Sequence, residues 1–250
     1  MQEKKVSPVF RALKALVKCV YGRYETVGLE NLPDEPSMII ANHAQLHGPL
    51  ACELYFPVPR STWCIGQMLH MKEVPAYAFE DFWSKKPLSV RWLFKIASYL
   101  IAWPASFLMR NAETIGVYHD HRLVSTFRET TRALQAGRHV VVFPECYDLY
   151  NPIVYQFQQG FVDAARLYYK KTGKAMLFTP MYIAPALKRF VIGKPVAFNP
   201  DAPIAEERAR ISEALMREIT DLAVAQPRHA VVPYPNIPKR EYPLNILPKE

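Results

Sequence analysis

The stretch Ser37-Met38-Ile39-Ile40-Ala41-Asn42-His43 joins a short apolar run to a polar pair. An apolar run of this length predicts a buried β-strand that ends where the polar residues begin. Active sites of α/β proteins often lie where a buried strand gives way to a loop. His43 could therefore act as a general base, although a single histidine at a strand end more often has a structural hydrogen-bonding role.

A second stretch, His139-Val140-Val141-Val142-Phe143-Pro144-Glu145, has the same arrangement. Its β-branched run predicts a strand, and Pro144 ends the hydrogen-bonded ladder because proline has no N–H to donate. Glu145 then presents a carboxylate at the same type of sheet edge as His43. This carboxylate could bind a substrate hydroxyl, or it could only cap a loop or a helix.

The rest of the chain alternates short apolar runs with helical patterns. Further strands are predicted at 62–65, 114–118 and 176–183, with a broken strand at 191–198, and helices at 8–20, 49–54, 123–135, 159–171 and 205–225. This alternation predicts a single α/β domain with a mixed, mostly parallel sheet flanked by helices. The predicted organisation is an amphipathic, membrane-associating segment (1–26), the α/β domain (27–225) and an extended proline-rich tail (226–250).

The amino-acid composition limits the kinds of molecule that the protein is expected to bind. The 250 residues carry a formal net charge of +8 and are half hydrophobic, which indicates a folded protein that favours anionic partners. No zinc-finger, RNP or basic-zipper pattern occurs, so nucleic acid is not an expected partner. Four scattered cysteines without a CxxC pair favour a reducing compartment and argue against a zinc cluster. We expect no secretory signal peptide.

Three segments bear on membrane binding. Residues 8–20 have an apolar face opposite basic residues, which suits either an anionic membrane surface or packing against the protein. Residues 96–109 are apolar but shorter than the ~20 residues that a membrane-spanning helix needs, so a buried or interfacial helix is predicted. Residues 71–92 combine aromatic residues with lysines, including Lys85 and Lys86, which suits a membrane interface or a packed lid.

Taken in order, these pieces resemble the PlsC-type glycerolipid acyltransferases, which act on 1-acylglycerol 3-phosphate and lysophospholipids. The resemblance extends over roughly 27–225. It rests on seven short motifs: VGLENLP (27–33), IIANH (39–43), IGV (115–117), FPE (143–145), FQQG (157–160), FTPM (178–181) and IGKPV (192–196).

The resemblance implies an activity. His43 would remove a proton from an acceptor hydroxyl, whose oxygen attacks an acyl thioester on coenzyme A or acyl carrier protein, with Glu145 positioning the acceptor. No cofactor beyond the acyl donor and no metal ion is expected. The acceptor would be a lysolipid or another hydroxyl compound, and the protein would lie peripherally on the cytoplasmic membrane face. The residues expected to bind substrate are Asn42, His47, Arg110, His119, Arg122 and Gly160.

The chain departs from the family pattern at important positions. Gly48 stands where the family has an aspartate that orients the motif histidine. Loss of the corresponding carboxylate costs about 10⁴ in rate in serine proteases. If that loss is limiting, Gly48→Asp should raise activity. His119 replaces the usual phosphate-binding arginine, with Arg122 and Arg110 nearby in sequence. Four acidic residues could replace the missing aspartate: Glu53, Asp120, Glu145 and Asp148.

Other functions remain open at this point. A non-catalytic, lipid-binding relative would keep an apolar groove without turnover. A metal-dependent hydrolase could use His43 and His47 on one helix face, completed by His119, His121 and Glu145. Cys146 follows Glu145, but an acidic neighbour does not lower a thiol pKa, so we interpret it as a loop residue and not a nucleophile.

Overall fold

The computed structural model describes residues 6–84 and 87–248, without the side chains of 81 and 82. Residues 1–5, Lys85 and Lys86 of the predicted membrane segments lie outside this description. The chain forms two compact units, one of Met1–Val17 with Ser61–Thr126 and one of Lys18–Arg60 with Phe127–Glu250. The predicted α/β class, with a mixed and mostly parallel sheet flanked by helices, is confirmed.

The strands of the described residues are, in chain order, β1 (Glu25–Val27), β2 (Met38–Ala41), β3 (Arg60–Ile65), β4 (Thr114–Val117), β5 (His139–Val142), β6 (Glu145–Leu149), β7 (Tyr155–Phe157), β8 (Leu177–Ala184), β9 (Arg189–Ile192) and β10 (Val196–Ala197). The α-helices are α1 (Pro8–Tyr21), α2 (His47–Tyr55), α3 (Val74–Ala78), α4 (Leu88–Leu100), α5 (Ala102–Asn111), α6 (Leu123–Gln135), α7 (Asp163–Thr172) and α8 (Ile204–Val224).

In the second unit the strands follow the order β1-β9-β8-β2-β5. The pairs β1 with β9, β8 with β2 and β2 with β5 are parallel, whereas β9 and β10 run antiparallel to β8. Strands β6 and β7 form a separate antiparallel hairpin. The broken strand predicted at 191–198 is confirmed as the two short strands β9 and β10.

Strand β2 is central and completely buried, which explains why every one of its residues is apolar. Ile39 lies opposite Val141 of β5 on one side and Thr179 of β8 on the other. Because β2 and β5 are parallel, their carboxyl ends meet at one edge of the sheet. The loops that begin with Asn42 and Phe143 therefore start side by side.

Helix α8 packs against β8 through buried residues that recur along one face, Ile211, Leu215 and Ile219. The predicted ends of α6 and α7 are confirmed, because Gly137 and Gly173 adopt left-handed φ angles of 78° and 71° that side chains rarely tolerate. After α8 the chain is irregular, with one 3₁₀ turn at Lys239–Glu241 and an isolated bridge between Ala230 and Leu244.

In the first unit β3 and β4 are parallel neighbours. The single apolar helix predicted at 96–109 is wrong, because the segment divides between α4 and α5. Pro104 lies in the first turn of α5, where its missing N–H interrupts no helical bond but would break a continuous helix. No single helix within 6–84 and 87–248 combines the length and apolar composition needed to span a bilayer. Helices α4 and α5 together meet both criteria but are bent by 41°.

Candidate active site

His43 begins the loop after β2, and its side chain has a defined orientation. Its Nδ1 lies 2.5 Å from the main-chain carbonyl oxygen of Gln45. A carbonyl oxygen only accepts hydrogen bonds, so Nδ1 carries the proton and the neutral ring presents its lone pair at Nε2. Burial lowers the pKa of His43, which favours this neutral form near pH 7. The ring is thus in the form that a general base requires.

Glu145 lies at the start of β6 and is buried, with 4% of its surface exposed. One carboxylate oxygen accepts the main-chain N–H of His43 at 2.5 Å, and the other accepts that of Tyr155 at 3.0 Å. Burial raises the pKa of Glu145 to about 7, against the opposing effect of these two bonds. Glu145 therefore joins the His43 loop to the β6–β7 hairpin. Its contact with an acceptor stays a prediction.

The side chain of Asn42 is also hydrogen-bonded to the main chain. Its side-chain amide donates to the carbonyl of Ile183 at 3.0 Å and accepts from the N–H of the same residue at 2.7 Å. Only 2% of Asn42 is exposed. These bonds hold the end of β2 against β8. Its predicted role in substrate binding remains untested.

The loop from His43 to Gly48 has an unusual backbone. Ala44 and Gln45 have positive φ angles of 48° and 52°, which non-glycine residues rarely adopt. The N–H of His47 donates to the carbonyl oxygen of Ala44 at 3.0 Å, and the N–H of Gly48 donates to the carbonyl oxygen of His43 at 3.1 Å. A Cβ atom on Gly48 would lie 2.4 Å from the carbonyl oxygen of His43. Gly48 is therefore required by the loop, which leaves no room for the aspartate that the resembling family has at this position.

Aromatic rings surround the imidazole of His43. Phe143 lies 5.2 Å from it between ring centroids, and Tyr234 of the C-terminal tail meets it edge-on at 5.5 Å. The side chain of Gln45 donates to the carbonyl of Pro235 at 3.1 Å and accepts from the hydroxyl of Tyr242 at 3.3 Å. The tail thus lies against the His43 loop. Sequence reasoning missed Gln45 and Tyr234, because their roles depend on backbone shape and on a long-range contact.

The other predicted substrate residues of the second unit occupy different surroundings. His47 begins α2, and its Nδ1 is 2.7 Å from the hydroxyl of Tyr21. Burial lowers the pKa of His47, and the positive charges of Lys188 and Lys239 add to this effect. Gly160 lies exposed in a 3₁₀ turn, where an added Cβ would meet no atom within 4 Å.

The predicted anion-binding residues belong to the first unit. Arg122 bonds the carboxylates of Asp120 and Glu73, and its guanidinium lies 4.1 Å from the centroid of the Tyr118 ring. The hydrogen bond from Arg122 holds the pKa of Asp120 below its usual value. Arg110 donates to the carbonyl of Leu69 at 2.7 Å, and His119 is exposed. Arg122 is therefore neutralised locally, which weakens its ability to hold a phosphate.

The structure gives the metal interpretation no geometric support. Helix α2 begins at His47, so His43 lies outside it and the two histidines do not share a helix face. Among the described residues, no group of three or more His, Cys, Asp or Glu side chains is arranged to hold a metal ion. Cys146 is a half-buried residue of β6.

Two surface cavities of the second unit lie away from His43. One, of about 1240 Å³, is lined by residues that include Lys18, Arg23 and Lys188. The other, of about 780 Å³, lies between β10 and the start of α8 and includes Glu207 and Arg210. Neither is lined by His43 or Glu145.

Comparison with known proteins gives a fold relationship. No protein-family model matches the chain, and no curated protein matches it in sequence. Among solved structures, the chain is similar to the crystal structure of the 1-acyl-sn-glycerophosphate (LPA) acyltransferase PlsC from Thermotoga maritima. The TM-score is 0.50 at 18% identity, over 88% of this chain and 81% of that one. At this identity the similarity shows a shared fold.

Proposed function

We propose that this protein is a divergent PlsC-type acyltransferase, which moves a fatty acyl group from an acyl thioester to a hydroxyl acceptor. One observation carries the proposal. At the edge of an acyltransferase-like sheet, the ring of His43 is held with its protonated Nδ1 toward Gln45, which leaves Nε2 as the basic nitrogen. The acyl donor would be acyl-coenzyme A or acyl carrier protein, and the acceptor a glycerophospholipid-type or other hydroxyl compound.

The proposed reaction needs one base and no covalent enzyme intermediate. Nε2 of His43 takes the proton of the acceptor hydroxyl while the oxygen forms a bond to the thioester carbonyl carbon. Collapse of the tetrahedral intermediate breaks the carbon–sulfur bond. The imidazolium then returns the proton to the leaving thiolate, which restores the neutral ring. Glu145 contributes by fixing the main chain of His43 through its 2.5 Å hydrogen bond.

The pairing of Arg122 bears on which acceptor we propose. Arg122 is paired with two carboxylates, Asp120 and Glu73, so this cluster carries no net positive charge. Arg110 and His119 would have to hold any phosphate group, or Arg122 would have to exchange partners. These contacts favour an acceptor with less negative charge than glycerol phosphate.

We also place the protein peripherally on the cytoplasmic face of a membrane. Helices α4 and α5 expose apolar side chains that include Trp92 (65%), Tyr99 (65%) and Trp103 (64%). Helix α1 exposes Val9 and Leu16 on the apolar face expected from its sequence. Large exposed apolar patches mark interaction surfaces, and aromatic residues favour the membrane interface. The net charge of +8 would add attraction to anionic lipids.

The test is thiol release from acyl-coenzyme A and acyl carrier protein donors, with a panel of lysolipids, glycerol phosphate and neutral alcohols. Wild type and His43→Ala are compared, with circular dichroism as the control for folding. We expect release that requires an acceptor and falls by about 10²–10⁴-fold in the variant, the usual contribution of a general base. Equal release from a folded His43→Ala variant would remove His43 from the mechanism.

A non-catalytic lipid-binding relative is the second candidate. The pairing of Arg122 with Asp120 and Glu73 favours it, because a phosphate-binding arginine is normally available to substrate. So does Gly48, which leaves His43 without the family's carboxylate. No thiol release with any donor, together with saturable binding to lipid vesicles, would favour this candidate over the enzyme.

A further inference from the structure

We infer that the main-chain carbonyl of Gln45 replaces the missing carboxylate as the group that orients His43. The effect of this contact on catalysis rests on the proposed acyl transfer, whereas the orientation of the His43 ring does not. Gln45 is therefore a positioning residue that acts through its backbone. The observation is the 2.5 Å contact between its carbonyl oxygen and Nδ1 of His43.

The contact selects one form of the ring. If the proton were on Nε2, the lone pair of Nδ1 would face the lone pairs of the carbonyl oxygen at hydrogen-bond distance, which is repulsive. With the proton on Nδ1 the contact is a hydrogen bond, and Nε2 becomes the basic nitrogen. In a serine protease triad the carboxylate performs this same selection, and its loss is costly because the wrong tautomer forms.

The backbone of the loop places the carbonyl where it is needed. The positive φ angles of Ala44 and Gln45 turn the chain back, so that an oxygen two residues along reaches the ring of His43. Each non-glycine residue in this region costs about 1–2 kcal/mol. Such strain persists where the surrounding structure fixes it, and functional sites are common locations. Here the turn is closed by the N–H groups of His47 and Gly48.

Acidic side chains that could have replaced the aspartate have other partners or positions. Glu53 forms an ion pair with Arg60 at 2.7 Å. Glu145 uses both oxygens for main-chain N–H groups, and Asp148 is exposed on β6. Asp120 belongs to the first unit, where it pairs with Arg122. In the part of the chain that the structure describes, the ring of His43 thus has a carbonyl and not a carboxylate as its orienting group.

A carbonyl and a carboxylate differ in one respect that affects catalysis. Both fix the tautomer, but only the carboxylate carries a full negative charge that stabilises the imidazolium. We therefore expect an oriented base that works more slowly than one backed by aspartate. A carboxylate fixes the tautomer and also stabilises the positive charge of the ring. The carbonyl of Gln45 performs only the first of these functions.

The test reads the tautomer directly. Two-bond ¹H–¹⁵N correlation spectra of the imidazole nitrogens distinguish a ring protonated at Nδ1 from one protonated at Nε2. The signals of His43 are assigned by their absence in His43→Ala. In wild type at neutral pH we expect the proton on Nδ1. A neutral ring protonated on Nε2, or a rapidly exchanging mixture, would overturn the inference whatever the enzymatic activity.

Substitutions at Gln45 test the role of its backbone. Val resists positive φ, whereas Asn tolerates it, and both lose the side-chain contacts of Gln45 with Pro235 and Tyr242. Tyr242→Phe removes one of those contacts without changing residue 45. We expect Gln45→Val to lose the Nδ1-protonated form, and Gln45→Asn and Tyr242→Phe to keep it.

Kinetic measurements then test the positioning role of Gln45 separately from the proposed acyl transfer. If transfer is measurable, kcat should be at least about tenfold higher for Gln45→Asn than for Gln45→Val, while KM changes less. If a folded Gln45→Val variant has the same tautomer populations and the same kcat as wild type, the positioning role of Gln45 is refuted. An Nδ1-protonated ring without any transfer would refute the proposed function and leave the orientation of His43 established.

Discussion

Gly48 shows how one residue constrains the candidate site. An added Cβ would come within 2.4 Å of the carbonyl oxygen of His43 and 3.1 Å of the ring of Phe143. The first of these contacts is with backbone, which cannot move away as the end of a flexible side chain can. The position that holds an aspartate in the resembling family is therefore one where this loop accepts only glycine without rearranging.

We predict that Gly48→Ala destabilises the protein by about 1–3 kcal/mol, the usual cost of overpacking. The matched control is Gly160→Ala, because a Cβ there meets no atom within 4 Å. Urea denaturation of both variants measures the difference. We further expect Gly48→Asp to be destabilised and to gain no activity, and higher activity in a folded Gly48→Asp would show that the loop can rearrange around a carboxylate.

Glu145 makes the free energy of unfolding fall as the pH rises. Burial raises its pKa from 4.5 to about 7, so between these values the folded protein holds a proton that the unfolded chain releases. Its contribution to stability is fully present below about pH 4.5 and is lost as the pH rises through about 7. The loss is about 3 kcal/mol at 1.36 kcal/mol per unit of pKa.

The measurement is the free energy of unfolding of wild type and Glu145→Gln at a series of pH values. The buried His139, whose pKa burial lowers, contributes equally to both proteins and cancels in the difference. We expect the stability of wild type relative to Glu145→Gln to fall by about 3 kcal/mol across this range. A difference that does not vary with pH would show that Glu145 keeps an ordinary pKa.

Part of the candidate site follows from sequence at the residue scale. Asn42, His43 and Glu145 were predictable because each follows an apolar strand, and strand ends converge in a parallel sheet. The contact of Gln45 with His43 was not, because it depends on two φ angles that no side-chain pattern encodes. Nor was Tyr234, which reaches His43 across 191 positions of sequence through the packing of an irregular tail.

At the scale of elements, one buried amide anchors the C-terminal tail to the end of α8. Asn245 is 2% exposed, and its side chain donates to the carbonyls of Ala223, Gln226 and Pro227 while accepting from the N–H of His229. These bonds join the end of the tail to the end of α8. The segment between His229 and Asn245 carries Tyr234, so the anchor also supports the contact with His43.

We predict that Asn245→Ala lowers the free energy of unfolding by at least about 2 kcal/mol. The reason is that each buried polar group left without a partner costs about 1–3 kcal/mol. Asn236→Ala is the matched control, since Asn236 is an exposed residue of the same tail. Thermal and urea unfolding measure both variants, and equal stabilities would show that water replaces the lost partners at Asn245.

Elements with strong local signals were predicted well, and those without were missed. Helix α6 matches its predicted bounds because its apolar residues recur with helical period and Gly137 ends it. The β6–β7 hairpin was missed, since its register shifts between Glu145 and Leu149 and its strands are too short for clear alternation. The division between α4 and α5 was missed because an apolar run conceals the effect of Pro104.

At the scale of the whole molecule, the α/β class followed from alternating strands and helices, and the shared fold with an acyltransferase followed from the order of the motifs. Sequence could not show which apolar residues are buried. The apolar residues of α4 and α5 look like core residues in sequence, yet large side chains there are exposed, including Leu88 (78%) and Leu100 (74%). Their position defines the surface that we propose for membrane contact.

We predict that vesicles containing anionic lipid retain the wild-type protein in flotation assays, and that the double variant Trp92→Ser/Trp103→Ser binds at least about tenfold more weakly. The expected loss follows from about 1.5–3 kcal/mol per buried large apolar side chain. Tyr169→Ser is the matched control, because Tyr169 is an exposed aromatic residue of α7 in the other unit (37%). Equal binding of all three proteins would exclude α4 and α5 as the membrane surface.

The positive φ of Gln45 has a consequence for how this site varies by mutation. A main-chain oxygen is the same in all twenty amino acids, so no codon change at position 45 deletes it, and only the shape of the chain can withdraw it. A saturation library at this position should therefore rank substitutions by tolerance of left-handed backbone, with glycine and asparagine retained and valine and isoleucine depleted. Polarity and charge, by which catalytic positions are ordinarily sorted, would have little influence on that order.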